Sequence, residues 1–167
     1  MATAPPEPLD IQTVKDYLRV LDSVEDSKIT AMIPRARLWV EEHTGLALVK
    51  RQFTELHSPN NGVVRLYRGP LVTLGACGWT DSEGAPQTFA PTATPPSTKL
   101  TGAWPSTGGA PFAITYEAGV DPGQEDARLI GAMLALIEGE YSAGYAYPPE
   151  TITAAVNAVF YLKFVAP

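Results

Sequence analysis

The chain has 167 residues, 45% of them apolar and 18% charged, with a formal net charge of −6. That length supports a hydrophobic core of domain size, and no apolar run reaches the roughly 18–20 residues of a membrane span. The acidic balance argues against a general nucleic-acid binder held by phosphate contacts. Cys77 is the only cysteine, which excludes an intrachain disulfide and makes cytoplasmic synthesis the simplest reading.

Residues 1–9 contain three prolines and neither the basic nor the apolar region of a secretory leader, so they read as a flexible arm. Asp10 is a plausible N-cap for a helix over 10–22, with Ile11, Val14, Leu18 and Leu21 at helical spacing. A longer helix, 24–44, follows with Ile29, Ile33, Ala36 and Val40 as its apolar stripe and Gly45 as its stop. Pro34 inside it predicts a kink or a late start.

A β-element is predicted over 52–119. "RQFTELHS" and the alternating "VVRLYRG" are separated by the turn signal "PNNG". Gly69-Pro70 makes a corner, "LVTLGACGW" runs back from it, and "DSEG" closes a hairpin. Residues 85–111 hold six prolines and read as a long Pro/Thr-rich loop, mobile in the free subunit. "FAITYEAG" is the last strand, and two helices complete the chain, 124–143 and one opening at the "YPPE" of 147–150. The expected fold is therefore α+β and mainly α. It has two N-terminal helices, a small antiparallel β-element and two C-terminal helices. Residues 10–149 are expected to form one domain, and 150–167 a helix or tail apart from it.

Charge is uneven along the chain. Residues 35–68 carry Arg35, Arg37, Lys50, Arg51, Arg65 and Arg68 against Glu41, Glu42 and Glu55, a net of +3. Residues 117–150 carry Glu117, Asp121, Glu125, Asp126, Glu138, Glu140 and Glu150 against Arg128, a net of −6. Such a split suits steering of one copy's basic flank onto another's acidic flank, and it equally describes ordinary solvated faces.

Reactive chemistry is sparse. His43 and His57, the only histidines, lie without HxxxH, CxxC or clustered acids, so neither a metal nor a cofactor is expected. Cys77 reads as a small buried hydrophobe. Nucleophile-elbow, phosphate-loop and dinucleotide motifs are missing, and Glu41 and Glu42 lie on adjacent helix faces rather than converging. The sequence reads as a non-enzyme. The apolar run "FYLKFVAP" reads instead as a partner-docking segment.

Taken in order, "VKDYLRV", "IPRARLWVEEHTGLALVKRQF", "VRLYRGPLVTLGACGWTDSEG", "WP" and "ITYEAGVDP" resemble the head–tail connector proteins of tailed phages and gene transfer agents, also called adaptors or head-completion proteins. The resemblance spans about residues 9–164. Its most specific pieces are the R-x-x-V-E-x-x-T-G helix end, the G-P-L corner and the T-Y-E-A-G strand end, and their order carries more than any one of them. It implies a virion protein of the head–tail junction, a homo-oligomeric ring that is a dodecamer in the particle and docks on the portal protein. Such a ring extends the channel through which genomic DNA passes without sequence-specific binding, and it offers a platform to a stopper or tail-completion protein, with no membrane involved. The alternative is a tail-completion or tail-terminator-like neck protein on the tail tube. Portal docking by resemblance falls on 150–167, namely Val159, Phe160, Leu162, Lys163, Phe164 and Val165. Ring contacts are expected from Arg65 and Arg68 toward Glu117, Glu138 and Glu140. The chain departs from the family pattern in "EGEYSAG" and in "YLKFVAP", where Lys163 is the only cation.

Overall fold

The computed structural model describes residues 6–58 and 63–143. Asp10 caps the first helix, α1 (Ile11–Leu18), by accepting the Thr13 N–H at 2.8 Å. The helix stops short of the predicted residue 22 because Arg19 turns left-handed, at φ 59°. The Arg19 and Val20 N–H groups then return to the Asp16 and Lys15 carbonyls, satisfying acceptors that a helix end exposes. Glu7 and Leu9, inside the predicted arm, are also held: Leu9 is buried in the core, and Glu7 receives a two-pronged contact from Arg37 at 2.7 and 3.2 Å.

The second helix, α2 (Asp26–Thr44), contains Pro34 and buries Ile29, Met32, Ile33, Ala36 and Val40. The third, α3 (Ala127–Ala143), starts after the predicted 124, because Asp126 turns its carboxylate back to the Arg128 N–H at 2.9 Å. Its Leu129, Met133, Leu136 and Ile137 complete one core with α1 and α2.

Among the described residues there are seven strands, in chain order: β1 (Arg51–His57), β2 (Val64–Arg65), β3 (Leu71–Thr80), β4 (Pro86–Thr88), β5 (Thr92–Ala93), β6 (Lys99–Thr101) and β7 (Phe112–Ala118). They form two antiparallel sheets, one ordered β1-β7-β3-β4 and the other β2-β6-β5. β7 is central in its sheet, and its strict alternation buries Phe112, Ile114, Tyr116 and Ala118 on one face.

This corrects the mainly helical expectation. Among the described residues there are three helices against seven strands in two sheets. The prolines of 85–111 conceal three short strands, β4 to β6. Phe89 and Trp104 in that stretch pack edge-on and stacked against Phe112, with ring centroids 5.2 and 5.7 Å away. Aromatic burial thus supplies the anchoring that composition alone did not indicate. The strand that runs back from the Gly69-Pro70 corner does not pair with the one before it, since β2 and β3 lie in different sheets. Asp81 does close the β3–β4 hairpin, accepting from Glu83 and Ala85 N–H and from the Gln87 amide. The second C-terminal helix expected from residue 150 lies outside the described residues.

The chain divides into two compact units. Met1–Val49 with Asp121–Ala166 form a helical unit, and Lys50–Val120 form a β unit.

Candidate functional site

The three motifs that carried the resemblance are structural joints. In R-x-x-V-E-x-x-T-G, Arg37 sits between Glu7 and Glu41, bonding the latter at 3.1 Å. Val40 is fully buried, and the buried Glu41 carboxylate accepts the Leu48 N–H at 2.8 Å. The Thr44 hydroxyl donates to the Val40 carbonyl and accepts the Leu46 N–H. Gly45, at φ 75°, returns its N–H to Glu41, a left-handed cap that glycine adopts without a Cβ penalty. Glu41 thereby locks the chain's exit from α2 while its charge is met by Arg37.

The other two motifs meet each other. Leu71 of the G-P-L corner is in register with Ala118, and the Gly119 N–H donates to the Pro70 carbonyl at 3.0 Å. Tyr116, fully buried, donates its hydroxyl to Glu55 and accepts the Arg68 N–H at 3.2 Å. Glu55 also accepts the Tyr67 N–H on both oxygens at 3.1 Å, and His57 Nε2 lies 3.0 Å from it. Burial and the Glu55 carboxylate push the Tyr116 hydroxyl far above the usual phenol range. Residues 67 and 68 are therefore tied to β1 and β7 through Glu55 and the Tyr116 hydroxyl, and Pro70 to Gly119 just past β7.

No reactive constellation emerges from the remaining candidates among the described residues. His43 stacks on Trp39 at 3.8 Å, with Nδ1 2.8 Å from the Trp39 carbonyl. His57 lies between the rings of Tyr67 and Phe112. Cys77 is buried, and burial pushes its thiol up, away from nucleophilic use at neutral pH. Among the described residues no three metal-ligating side chains gather, and no helix is long and apolar enough to cross a membrane.

The charge asymmetry follows the units rather than the predicted flanks. The helical unit carries 14 acids against 7 Lys and Arg, the β unit 4 against 5. Arg35 and Arg37 belong to the helical unit and are engaged there, Arg35 with Glu140 at 2.5 Å. Of the predicted ring residues, Arg65 is exposed on β2, opposite Lys99 of β6. Arg68 lies in the bend before Gly69 and not on a strand. Glu117 is half-buried on β7, in register with Gln52 and Thr73. Glu138 is exposed and accepts the Tyr17 hydroxyl at 3.0 Å. Glu140 is buried beside Arg35, and its Oε2 has no hydrogen-bond partner among the described residues. The predicted docking residues Val159, Phe160, Leu162, Lys163, Phe164 and Val165 lie outside the described residues. What sequence reasoning missed is Lys99, whose partner strand is set only by the sheet, and the exposed pair Leu21 and Val24, which the predicted helices 10–22 and 24–44 had included.

No family model and no curated protein matches the chain. Among solved structures, a chain in the neck of an empty gene transfer agent (GTA) particle, computed with C6 symmetry, is 18% identical with a TM-score of 0.77. The match covers 97% of this chain and 93% of that one. A chain in the virion of a native GTA particle is 22% identical with a TM-score of 0.71, over 93% of this chain and 91% of that one. A third, from the neck of a native GTA particle computed with C12 symmetry, is 22% identical with a TM-score of 0.59, over 93% of both chains. Across both units, this chain shares the fold of chains found in GTA necks and virions.

Proposed function

We propose that this chain is a structural protein of the neck of a tailed phage or phage-like particle. It assembles as a ring of copies at the head–tail junction, twelve in the particle. The ring docks on the portal protein, extends the DNA channel and receives a stopper or tail-completion protein. The observation that carries this reading is the near-complete overlap of the fold with chains of GTA necks, two of them in structures computed with C6 and C12 symmetry. The order of sequence motifs supports the same assignment independently. The joints described above suit a subunit whose surfaces must hold their geometry inside a ring, because each motif fixes a chain crossing rather than a reactive group.

Portal docking is assigned to residues 150–167, with Val159, Phe160, Leu162, Lys163, Phe164 and Val165 as its contact. On the ring side, Arg65 and Arg68 are the basic contribution, and Glu117 and Glu138 contribute acidic field; Glu140 acts within its own subunit, beside Arg35. Removal of residues 158–167 tests the docking assignment. The truncated protein should retain its circular dichroism and melting profile and yet be missing from purified necks. Truncated protein found on portals at the parent level would refute that assignment, and co-purification with tail tube in place of portal would move the protein to the tail side of the joint.

A further inference from the structure

Two exposed surfaces, one on each unit, complement one another chemically. The first is the connection between α1 and α2, residues 19–25. Lys15 and Asp26 close its base through a half-buried ion pair of 2.7 Å, and the Val20 and Asp26 N–H groups bond to Lys15 and Ser23 carbonyls. Inside it, Asp22 accepts the Val24 N–H at 3.0 Å, a turn that short acidic side chains stabilise. The loop is thus held, and it holds Leu21 at 99% and Val24 at 86% exposure with Asp22 between them. Water around two ordered aliphatic side chains gives the free subunit no stability.

The second surface is the outer face of β2 and its neighbours. Val64 and Leu66 are buried, so Val63, Arg65 and Tyr67 alternate outward, Val63 at 41% and Tyr67 at 69% exposure. Arg65 stands in register with Lys99, and both are exposed. Among the described residues neither cation has an ion-pair partner, and like charges directly opposite on a sheet repel. An anion set between them, flanked by aliphatic groups, would relieve the repulsion and cover Val63 and Tyr67.

We propose that residues 21–24 of one copy dock on the Val63–Arg65–Tyr67 face of the next, with Asp22 between Arg65 and Lys99, and Leu21 and Val24 against Val63 and Tyr67. The proposal rests on the ring reading above and names its contact. Two different surfaces on each subunit are what a head-to-tail ring requires. The acidic excess of the helical unit and the slight basic excess of the β unit favour the same pairing. The apolar residues beside the cations favour a protein loop over nucleic acid, which would need a longer track of positive charge.

Particles assembled with the chain carrying both Asp22→Cys and Lys99→Cys provide the test, because the native Cys77 is buried and does not compete. Mild oxidation should convert the chain into a ladder of covalent multimers on a non-reducing gel, absent from either single variant. In addition, Lys99→Glu should slow ring assembly about tenfold, since it sets a like charge against Asp22, and adding Asp22→Lys should restore the rate. Unaltered far-ultraviolet circular dichroism excludes misfolding as the cause. Parent protein present in the neck with no ladder, or with a cross-link confined to single chains, overturns the contact alone. Salt-sensitive binding of a short DNA duplex by the parent, lost in Arg65→Glu and unaccompanied by a ladder, would assign the face to phosphate and overturn it too. Parent protein missing from necks would overturn the neck reading itself, and the contact with it.

Discussion

Replacing Tyr116 by Phe removes one oxygen from the interior of the β unit and leaves the ring stacked on Phe53, with centroids 5.6 Å apart. The lost hydroxyl served two partners, the Glu55 carboxylate and the Arg68 N–H. A hydrogen bond to a charged group contributes ~1.5–3 kcal/mol, and a stranded half-buried N–H costs about 1 kcal/mol. Glu55 keeps the Tyr67 N–H and His57, so its charge is not abandoned. The expected loss is therefore ~2–4 kcal/mol, confined to the β unit. Because two units need not unfold as one, a global melting curve is the wrong assay. Trp79 and Trp104 belong to the β unit and Trp39 to the helical one. In a Trp39→Phe background, guanidinium unfolding followed by fluorescence reports the β unit alone. A loss below ~0.5 kcal/mol, the range of ordinary surface changes, would show that the Tyr116–Glu55 contact does not hold the corner.

The same hydroxyl predicts an alkaline response. Its folded pKa is raised, so the stabilisation is complete below the unfolded value near 10 and is lost as pH rises above it. The difference between parent and Tyr116→Phe should accordingly narrow between pH 9 and pH 11, by up to about 1.4 kcal/mol per unit above 10; a constant difference would contradict the burial argument. Gly78→Ala should destabilise the β unit by ~1–3 kcal/mol, because a Cβ there would stand 2.5 Å from the Gln87 carbonyl oxygen across the β3–β4 pair. An unchanged denaturation midpoint would mean that β4 yields freely. Glu41→Ala should cost the helical unit ~3–5 kcal/mol by leaving Arg37 and the Leu48 N–H without that carboxylate, and Trp39 fluorescence would report it. A cost below ~1 kcal/mol would remove Glu41 from its role as the lock at the end of α2.

Local signals in the sequence settled what depends on neighbours along the chain. Asp10 as a cap, the Ile29–Ile33–Ala36–Val40 stripe, Gly45 as a stop, the Asp81 turn and the alternation of β7 are all present in the structure. Each rests on interactions within a few residues, which spacing reports directly. Local pattern also misled where a side chain's partner is distant. Proline content marked 85–111 as loop, yet Phe89 and Trp104 order it by packing on Phe112, supplied by a strand further along. Leu21 continued a helical period that the left-handed Arg19 had already ended. The mainly helical expectation failed because sheets are assembled from pairings that no short window contains. The candidate site shows the division most clearly. Arg65 was visible as a charge on a strand. Its register with Lys99, the burial of Glu140 beside Arg35 and the meeting of G-P-L with T-Y-E-A-G at Pro70 and Gly119 were decided only by tertiary pairing, because charge and motif are properties of residues whereas partnership is a property of the folded chain.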